Sequence, residues 1–237
     1  MVDRRLVLSW SSGKDSAWAL HRLRQGGDYE GEYEIRGLLT TLNGAFDRVA
    51  MHSTRRALLE AQARAVGLPL YAVALPWPCS NFEYEAAMRG ACEAAVADGV
   101  EAIAFGDLFL EDVRRYREDR LRGTGLKPVF PIWGLDTRRL AEEMIASGLR
   151  ARIVCVDPKK LTREFAGREF DADFLRDLPA GVDPCGENGE FHSVVYAGPM
   201  FREAITIEAG EIVERDGFVF ADVRLAGELA EPASAVA

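Results

Sequence analysis

The chain has 237 residues and a formal net charge of −9, with a sequence pI near 5.0. This acidic balance argues against a constitutive nucleic-acid binder, which usually carries a basic face. No uncharged apolar run approaches ~18 residues, and the N-terminus lacks the apolar core of a signal peptide, so we expect no membrane span and no secretory leader. The four cysteines (Cys79, Cys92, Cys155 and Cys185) form no CxxC pair, which favours reduced thiols and a cytoplasmic protein.

The first 110 residues alternate between apolar strand patterns and amphipathic helix patterns. Strands are predicted at 5–10, 33–42, 68–75 and 100–107, and helices at 16–25, 53–67 and 81–99. This alternation predicts an α/β fold, with a Rossmann-like parallel sheet and helices on both of its faces. Ligands of such sheets bind beyond the carboxyl ends of the strands.

The second half predicts a smaller, mixed α+β C-terminal lobe. Helices are predicted at 110–122 and 136–148, a strand at 149–157, and mainly strands from residue 190 onward, with hairpin turns at Ala209-Gly210 and Asp216-Gly217. Pro128 and Pro131 disfavour a central strand between these helices. We therefore predict an ATP-binding α/β domain at 1–122, a substrate-binding lobe at 123–225 and a disordered tail at 226–237.

A polar turn with the sequence SSGKDS connects the first predicted strand to the first predicted helix. It is not a Walker A loop, because the earlier glycine is missing and Asp15 follows the lysine. The turn can still bind phosphate through inward N–H groups, with Gly13 able to tolerate a positive φ, and through the dipole of the next helix. Its polar and charged groups belong to Ser11, Ser12, Lys14 and Ser16. An ordinary turn, with Asp15 or Ser16 as the helix cap, is the alternative.

The strand, this turn and the helix resemble the pyrophosphate loop of the N-type ATP pyrophosphatases, whose fold is adenine nucleotide α-hydrolase-like. Further segments are similar to the diphthine–ammonia ligase-related branch of that family, at 51–70, 105–118, 125–145 and 183–201. They follow the family's order and cover most of residues 5–201. The resemblance implies cleavage of ATP between its α and β phosphates, with transfer of AMP to a substrate oxygen.

The resemblance also implies roles for individual residues. Phosphates that leave as pyrophosphate would be held by Ser11, Ser12, Gly13, Lys14, Asp15, Ser16 and Gly106. Lys14, Asp15 and Asp107 would be catalytic, and the two aspartates would approach a Mg²⁺ ion that bridges the phosphates. For Asp107, a helix-capping role is the alternative. His52 would lie beside the nucleoside, with a surface or capping histidine as the alternative.

A second informative stretch is GENGEFHS at 186–193, where the family pattern is close to G-E-G-G-E-[FY]-E-T. Glu187, Gly189 and Glu190 match this pattern, whereas Asn188, His192 and Ser193 depart from it. The resemblance makes Glu187, Gly189, Glu190 and His192 candidate ligands of a substrate amine, an ammonium ion or a metal. Because histidine is mostly neutral at pH 7, its presence puts the particular acceptor in doubt. A hairpin-entry loop with solvated glutamates is the alternative.

These features predict an AMP-forming, ATP-dependent ligase that adenylates a small-molecule or protein-borne carboxylate and then forms an amide with ammonia or an amine. ATP and Mg²⁺ are the expected cofactors. Nucleic-acid and membrane partners are not expected, and the C-terminal strands could offer an edge for a homodimer. Two alternatives remain: a sulfurtransferase acting on tRNA, which would need a persulfide cysteine, and a non-catalytic nucleotide-binding regulatory protein.

Overall fold

A computed structural model describes residues 4–26, 33–44, 48–49 and 54–227. The elements of the N-terminal half are β1 (Arg4–Ser9), α1 (Lys14–Gln25), β2 (Tyr33–Asn43), β3 (Arg48–Val49), α2 (Arg56–Val66), β4 (Leu70–Leu75), α3 (Asn81–Ala97), β5 (Ala102–Ala104) and α4 (Glu111–Leu121). They are followed by β6 (Lys127–Val129), α5 (Thr137–Ala146), β7 (Arg150–Val156), a 3₁₀ turn (Arg163–Phe165), α6 (Ala172–Asp177), β8 (Phe191–Ala197), β9 (Ile207–Arg215) and β10 (Phe218–Leu225). His52 and residues 228–237 of the predicted tail lie outside the described residues.

The first sheet contains five parallel strands in the order β4-β2-β1-β5-β6, and the short β3 runs antiparallel to the end of β2. The predicted parallel sheet is therefore confirmed. Pro128 lies in β6 at the edge of this sheet, a position that tolerates a residue without an N–H group. The strand lies beyond residue 122, where we placed the domain boundary, and that boundary stays a prediction.

Side chains alternate along β1, so each face of the sheet packs against its own helices. Leu6 and Leu8 belong to a buried cluster that includes residues of α1 and α2. Val7 belongs to a second cluster, together with Cys92 of α3 and Leu121 of α4. The helices therefore cover both faces, as predicted. In the described part of the chain, no helix has both the length and the apolar character needed to cross a bilayer.

The second sheet is antiparallel, in the order β8-β7-β10-β9. Its inner side chains, among them Ile153 and Val195, belong to the same buried cluster as Trp18 of α1 and Leu8 of β1. The two sheets therefore share one continuous apolar core, with α1 packed between them.

Strand β9 runs unbroken from Ile207 to Arg215, so the hairpin turn predicted at Ala209-Gly210 is wrong. The turn predicted at Asp216-Gly217 is confirmed, and both residues have a positive φ, of 52° and 79°. Gly210 lies inside the strand, where its lack of a side chain matters for packing. A Cβ at this position would lie 2.8 Å from Oδ2 of Asp222, so the glycine makes room for a carboxylate on β10.

Asp222 connects the second sheet to the N-terminal half of the chain. Its Oδ1 accepts a hydrogen bond from Arg48 Nη1 at 3.0 Å, and its Oδ2 accepts one from Arg55 Nη2 at 2.8 Å. Burial disfavours the charged carboxylate, but the two guanidinium groups outweigh burial and hold the pKa of Asp222 below its usual value.

We expect Asp222→Asn to lower the free energy of unfolding by about 1–3 kcal/mol at pH 7, because two half-buried guanidinium groups lose their charged partner. The folded-state pKa lies below the unfolded value of about 3.9, so this contribution is complete above that pH and is lost as the pH falls through the folded-state pKa. Urea denaturation over this pH range measures the effect. The matched control, Asp216→Asn in the exposed turn, should change stability by less than about 0.5 kcal/mol. Equal losses in both variants, or a loss that persists at low pH, would contradict the assignment.

Candidate active site

The polar turn after β1 is a tight loop at the carboxyl end of that strand. Helix α1 begins at Lys14, and Gly13 is its N-cap with an extended backbone (φ −87°). The positive φ that Gly13 could tolerate lies instead at Ser12, where φ is 69°. Asp15 and Ser16 lie inside the first helical turn and do not cap it. A non-glycine residue in the left-handed region is costly and persists only when its surroundings hold it there.

A buried network holds Ser12 in this conformation. Its hydroxyl shares a hydrogen bond of 2.7 Å with Thr54, and its carbonyl oxygen accepts hydrogen bonds of 3.0 Å from Gln62 Nε2 and from the N–H of Val195. Gln62 is 0% exposed, donates to the Val195 carbonyl and accepts from Trp10 Nε1. Gln62 was not among the predicted site residues. Its position as a lone polar residue on the apolar face of α2 is the signal that could have found it.

The hydroxyl groups of Ser11 and Ser16 face each other across the loop, 3.2 Å apart. Ser16 Oγ donates to the Gly13 carbonyl, and the N–H of Lys14 donates to Ser193 Oγ on β8 at 3.2 Å. First-turn N–H groups have no intrahelical acceptor, and the helix dipole adds positive potential at this end. The loop therefore offers the donors that a phosphate group requires.

The side chain of Lys14 is 2% exposed and points toward the second lobe. Its Nζ donates to Asp15 Oδ2 at 2.9 Å and to the carbonyl oxygen of Cys185. The rings of Phe170 and Phe191 lie 5.4 and 5.1 Å from Nζ, within the range of cation–π attraction. Burial alone would lower the pKa of Lys14, but the acidic groups around it, Asp15 foremost, together outweigh burial and raise it. The amine is therefore charged at pH 7.

Two carboxylates, of Asp15 and Asp107, line the same cavity from the ends of the adjacent strands β1 and β5. Oδ1 of Asp15 is buried and has no hydrogen-bond partner among the described residues. Asp107 Oδ2 lies 3.4 Å from Arg117 Nε. Burial raises the pKa of both carboxyl groups, against the opposing charges of Lys14 and Arg117.

Gly106 allows the segment after β5 to approach the start of α1. A Cβ at this glycine would lie 2.9 Å from the carbonyl carbon of Asp15 and from the nitrogen of Ser16. Both of these atoms belong to the backbone and cannot rotate away. The close approach therefore depends on the missing side chain.

The acidic loop (residues 183–190) closes the cavity from the side of the second sheet. Asp183 Oδ2 accepts hydrogen bonds from the N–H groups of Cys185 (3.2 Å) and Glu187 (3.0 Å). Glu190 is 2% exposed, and its Oε1 accepts from the Asp183 N–H and from Asn188 Nδ2. Glu190 therefore stabilises the loop from inside and is not part of the cavity lining.

Glu187 and His192 both line the cavity. Glu187 Oε1 accepts a hydrogen bond of 2.7 Å from the N–H of Leu108, after β5. Burial raises the pKa of Glu187 to about 7 despite this hydrogen bond, and the charges of Asp15 and Asp107 act in the same direction. Burial and the charge of Lys14 lower the pKa of His192 to about 4, so its imidazole is neutral at pH 7.

The cavity has a volume of about 230 Å³ and brings ten predicted residues together: Ser11, Gly13, Lys14, Asp15, Ser16, Gly106, Asp107, Glu187, Gly189 and His192. Ser12 and Glu190 are buried and are not among the residues that line the cavity. A second cavity of about 650 Å³ adjoins it, between the carboxyl ends of β1, β2 and β5 and helices α3 and α4. Both cavities are lined by Ser11, Phe105 and Arg117. In the wall of the larger cavity, the buried Thr40 hydroxyl has no hydrogen-bond partner among the described residues.

Cys185 is among the residues that line the cavity, and its thiol is hydrogen-bonded within the protein. Its Sγ donates to the Thr137 carbonyl at 3.4 Å, and burial raises the pKa of the Cys185 thiol far above its usual value. A thiol that stays protonated is a poor nucleophile. No observation at this site therefore favours the persulfide chemistry that a sulfurtransferase needs.

The fold and the site together define a nucleotide-binding type of α/β protein, in which a serine-rich loop at a helix N-terminus faces an acidic loop. The chain belongs to the diphthamide synthase family: the model of the family's N-terminal domain matches residues 4–128, and that of its C-terminal domain matches residues 136–226. The resemblance found in the motifs is thereby confirmed.

Similar proteins carry the name diphthine–ammonia ligase. The one from Danio rerio is 27% identical over 242 residues, which cover 92% of this chain and 92% of that protein. The Homo sapiens protein is 31% identical over 134 residues, 52% of this chain and 48% of that protein. The Schizosaccharomyces pombe protein is 29% identical over 119 residues, and the match spans 20% of its length. Membership of this family is consistent with an ATP-dependent, amide-forming ligase.

Proposed function

We propose that this protein is an ATP-dependent ligase that adenylates a substrate carboxylate, releases pyrophosphate and then forms an amide with ammonia or an amine. The observation that supports this most is the cavity in which the SSGKDS loop, Asp107 and the acidic loop meet. The name of the relatives, diphthine–ammonia ligase, supports the reaction type.

ATP would lie across the two adjoining cavities. Its β- and γ-phosphates would contact the first-turn N–H groups of α1 and the hydroxyls of Ser11 and Ser16. Its nucleoside would occupy the larger cavity, where the Thr40 hydroxyl has no partner among the residues that the structure describes. Lys14 Nζ is bonded to Asp15 Oδ2 and to the Cys185 carbonyl inside the protein, whereas the serine hydroxyls can rotate from their present partners toward a ligand, so we assign direct phosphate contact to the hydroxyls and the N–H groups of the loop. The role of His52 beside the nucleoside stays a prediction.

Asp15 and Asp107 fit a Mg²⁺ ion. The ion is usually held by one or two carboxylates together with phosphate oxygens and water, and the buried Oδ1 of Asp15 has no protein partner among the described residues. When bound, Mg²⁺ would neutralise charge on the leaving pyrophosphate.

The chain's own groups would then act in two steps. A carboxylate oxygen of the acceptor attacks the α-phosphorus, and the bond to the bridging oxygen breaks, so that pyrophosphate leaves with its charge against the N–H groups of the loop. Ammonia or an amine then attacks the acyl carbon, and AMP leaves. Glu187 lines the cavity with a carboxyl group whose pKa is about 7, and we assign it the proton that the attacking nitrogen loses.

The acceptor is proposed as a carboxylate borne by a small molecule or a protein, and not as diphthine in particular. His192 stands where the family pattern has a carboxylate, and its neutral side chain changes the charge presented to an acceptor. The cytoplasmic location and a homodimer are kept as proposals.

The identity of the products tests this function. We would incubate the protein with ATP, Mg²⁺, ammonium and a panel of carboxylic acids, and follow the phosphorus products by ³¹P NMR. AMP and pyrophosphate should form in equal amounts, and only when an acceptor is present. Release of ADP and phosphate would contradict the mechanism. Tight ATP binding without turnover across a broad panel would favour a regulatory protein instead.

A further inference from the structure

We propose that Lys14 is a positioning residue, which ties the phosphate loop to the acidic loop and fixes Asp15, and that it does not contact the phosphates of ATP. This inference rests on the proposed function, because it takes the smaller cavity as the phosphate site. It assigns Lys14 a role different from the one implied by the family resemblance.

The surroundings of the amino group support this role. Nζ has an acceptor on each side, Asp15 Oδ2 at 2.9 Å and the Cys185 carbonyl, and two aromatic rings cover it. A charged amine in such a buried position is stabilised by these groups together. Movement to a phosphate would break the hydrogen bond to Cys185 and leave its carbonyl oxygen without this donor. It would also remove the charge from between Phe170 and Phe191.

The contact with Lys14 makes the two carboxylate oxygens of Asp15 different from each other. Lys14 binds Oδ2, whereas Oδ1 receives no hydrogen bond from the described part of the chain. One oxygen is therefore fixed by Lys14, and the other is buried with no hydrogen bond from the described residues. This arrangement positions a metal ligand without occupying it.

The contact with Cys185 fixes the acidic loop. Most hydrogen bonds of this loop are internal, such as those from the N–H groups of Cys185 and Glu187 to Asp183 Oδ2. Lys14 adds a bond from α1, 171 residues away in the sequence. Lys14 therefore acts together with the N–H of Leu108, which donates to Glu187, in holding the acidic loop beside the proposed α-phosphate site, and its loss should loosen the loop.

Hydrogen exchange of the wild-type protein gives the first test and needs no variant. We would compare backbone amides 185–190 with and without saturating α,β-methylene ATP and Mg²⁺. If Lys14 remains on Cys185, their exchange should be unchanged or slower in the complex. Exchange that becomes more than about threefold faster on binding would show that Lys14 leaves the loop, and it would overturn the proposal.

The second test compares Lys14→Met with Lys160→Met. Lys160 is exposed, and its Nζ donates to the Asn188 carbonyl of the same loop at 2.6 Å, which makes it a matched control. In Lys14→Met we expect the loop amides to exchange at least about tenfold faster and kcat to fall by at least about tenfold. The Kd of α,β-methylene ATP should change by less than about threefold. Lys160→Met should change each by less than about twofold. Lys14→Arg, which keeps the charge and the donors, should restore part of the loop protection.

A tenfold loss of analogue affinity in Lys14→Met, with loop exchange unchanged, would overturn the proposal and make Lys14 a direct phosphate ligand. If the wild-type protein does not bind the analogue, the proposed function fails, but exchange of the nucleotide-free variants still decides whether Lys14 holds the loop. If Lys14→Met does not fold, the wild-type experiment decides.

Discussion

Gly106→Ala should reduce kcat/KM by at least about 100-fold, because the added Cβ would push on the backbone of Asp15 and Ser16 and displace the start of α1. A misplacement of about 1 Å can cost this much when catalysis depends on positioned groups. The overpacking should also lower the free energy of unfolding by about 1–3 kcal/mol. Pyrophosphate release and urea denaturation measure the two effects.

Gly90→Ala is the matched control, because this glycine lies on the exposed side of α3 with no heavy atom within 4 Å of the added Cβ. Alanine is the better helix former by about 1 kcal/mol, so this variant should keep full activity and gain stability. If Gly106→Ala behaved like Gly90→Ala, the close approach at the site would have no functional importance.

Asp15→Asn should lower kcat by at least about 100-fold, the size of effect seen when one preorganised charge-stabilising group is removed from an active site. The substitution keeps the shape of the side chain but removes the negative charge that pairs with Lys14 and that would bind Mg²⁺. The variant should also need a higher Mg²⁺ concentration for half-maximal activity. A Mg²⁺ titration of AMP formation measures both effects.

Asp119→Asn on α4 is the control for charge alone. Asp119 is exposed and pairs with Arg122, an arrangement that contributes little to stability, so we expect activity within about twofold of the wild type. Near-normal activity of Asp15→Asn, at the Mg²⁺ concentration that saturates the wild type, would remove Asp15 from the proposed metal site.

Much of the fold could be predicted, because the local periodicity of apolar residues distinguishes its strands from its helices. The main parallel strands, the helices between them and the capped helix α5 all follow from apolar spacing and glycine stops. The two-residue β3 and three-residue β6 are too short to show a period. The turn signal at Ala209-Gly210 failed for a different reason. There the glycine leaves space for the carboxylate of Asp222 on the neighbouring strand, and the local sequence does not show which residue lies opposite it.

The candidate site divides in the same way. Residues contiguous in a motif, such as those of the SSGKDS loop, could be predicted from sequence. The roles of Gln62 and Ser193 could not, since their partners, Ser12 and Lys14, lie in another segment of the chain. Asp183 binds N–H groups of its own loop, but the conformation of that loop is not evident from its sequence. The direction of the Lys14 side chain also depends on packing: a lysine next to serines indicates phosphate, but its partner is a carbonyl from the far end of the chain.

Two hydrogen bonds between the halves of the chain matter during biosynthesis. The N–H of Val195 donates to the Ser12 carbonyl, and the N–H of Lys14 donates to Ser193 Oγ. During translation, residues 4–128 leave the ribosome well before β8 exists. The nascent N-terminal half can build most of its sheet and already contains Thr54 and Gln62, two partners of Ser12. It still lacks the N–H of Val195 for the Ser12 carbonyl and the Ser193 hydroxyl for the N–H of Lys14. Nucleotide affinity should therefore arise late, when the C-terminal strands dock, and a truncated chain that ends near residue 128 should bind ATP far more weakly than the 237-residue chain.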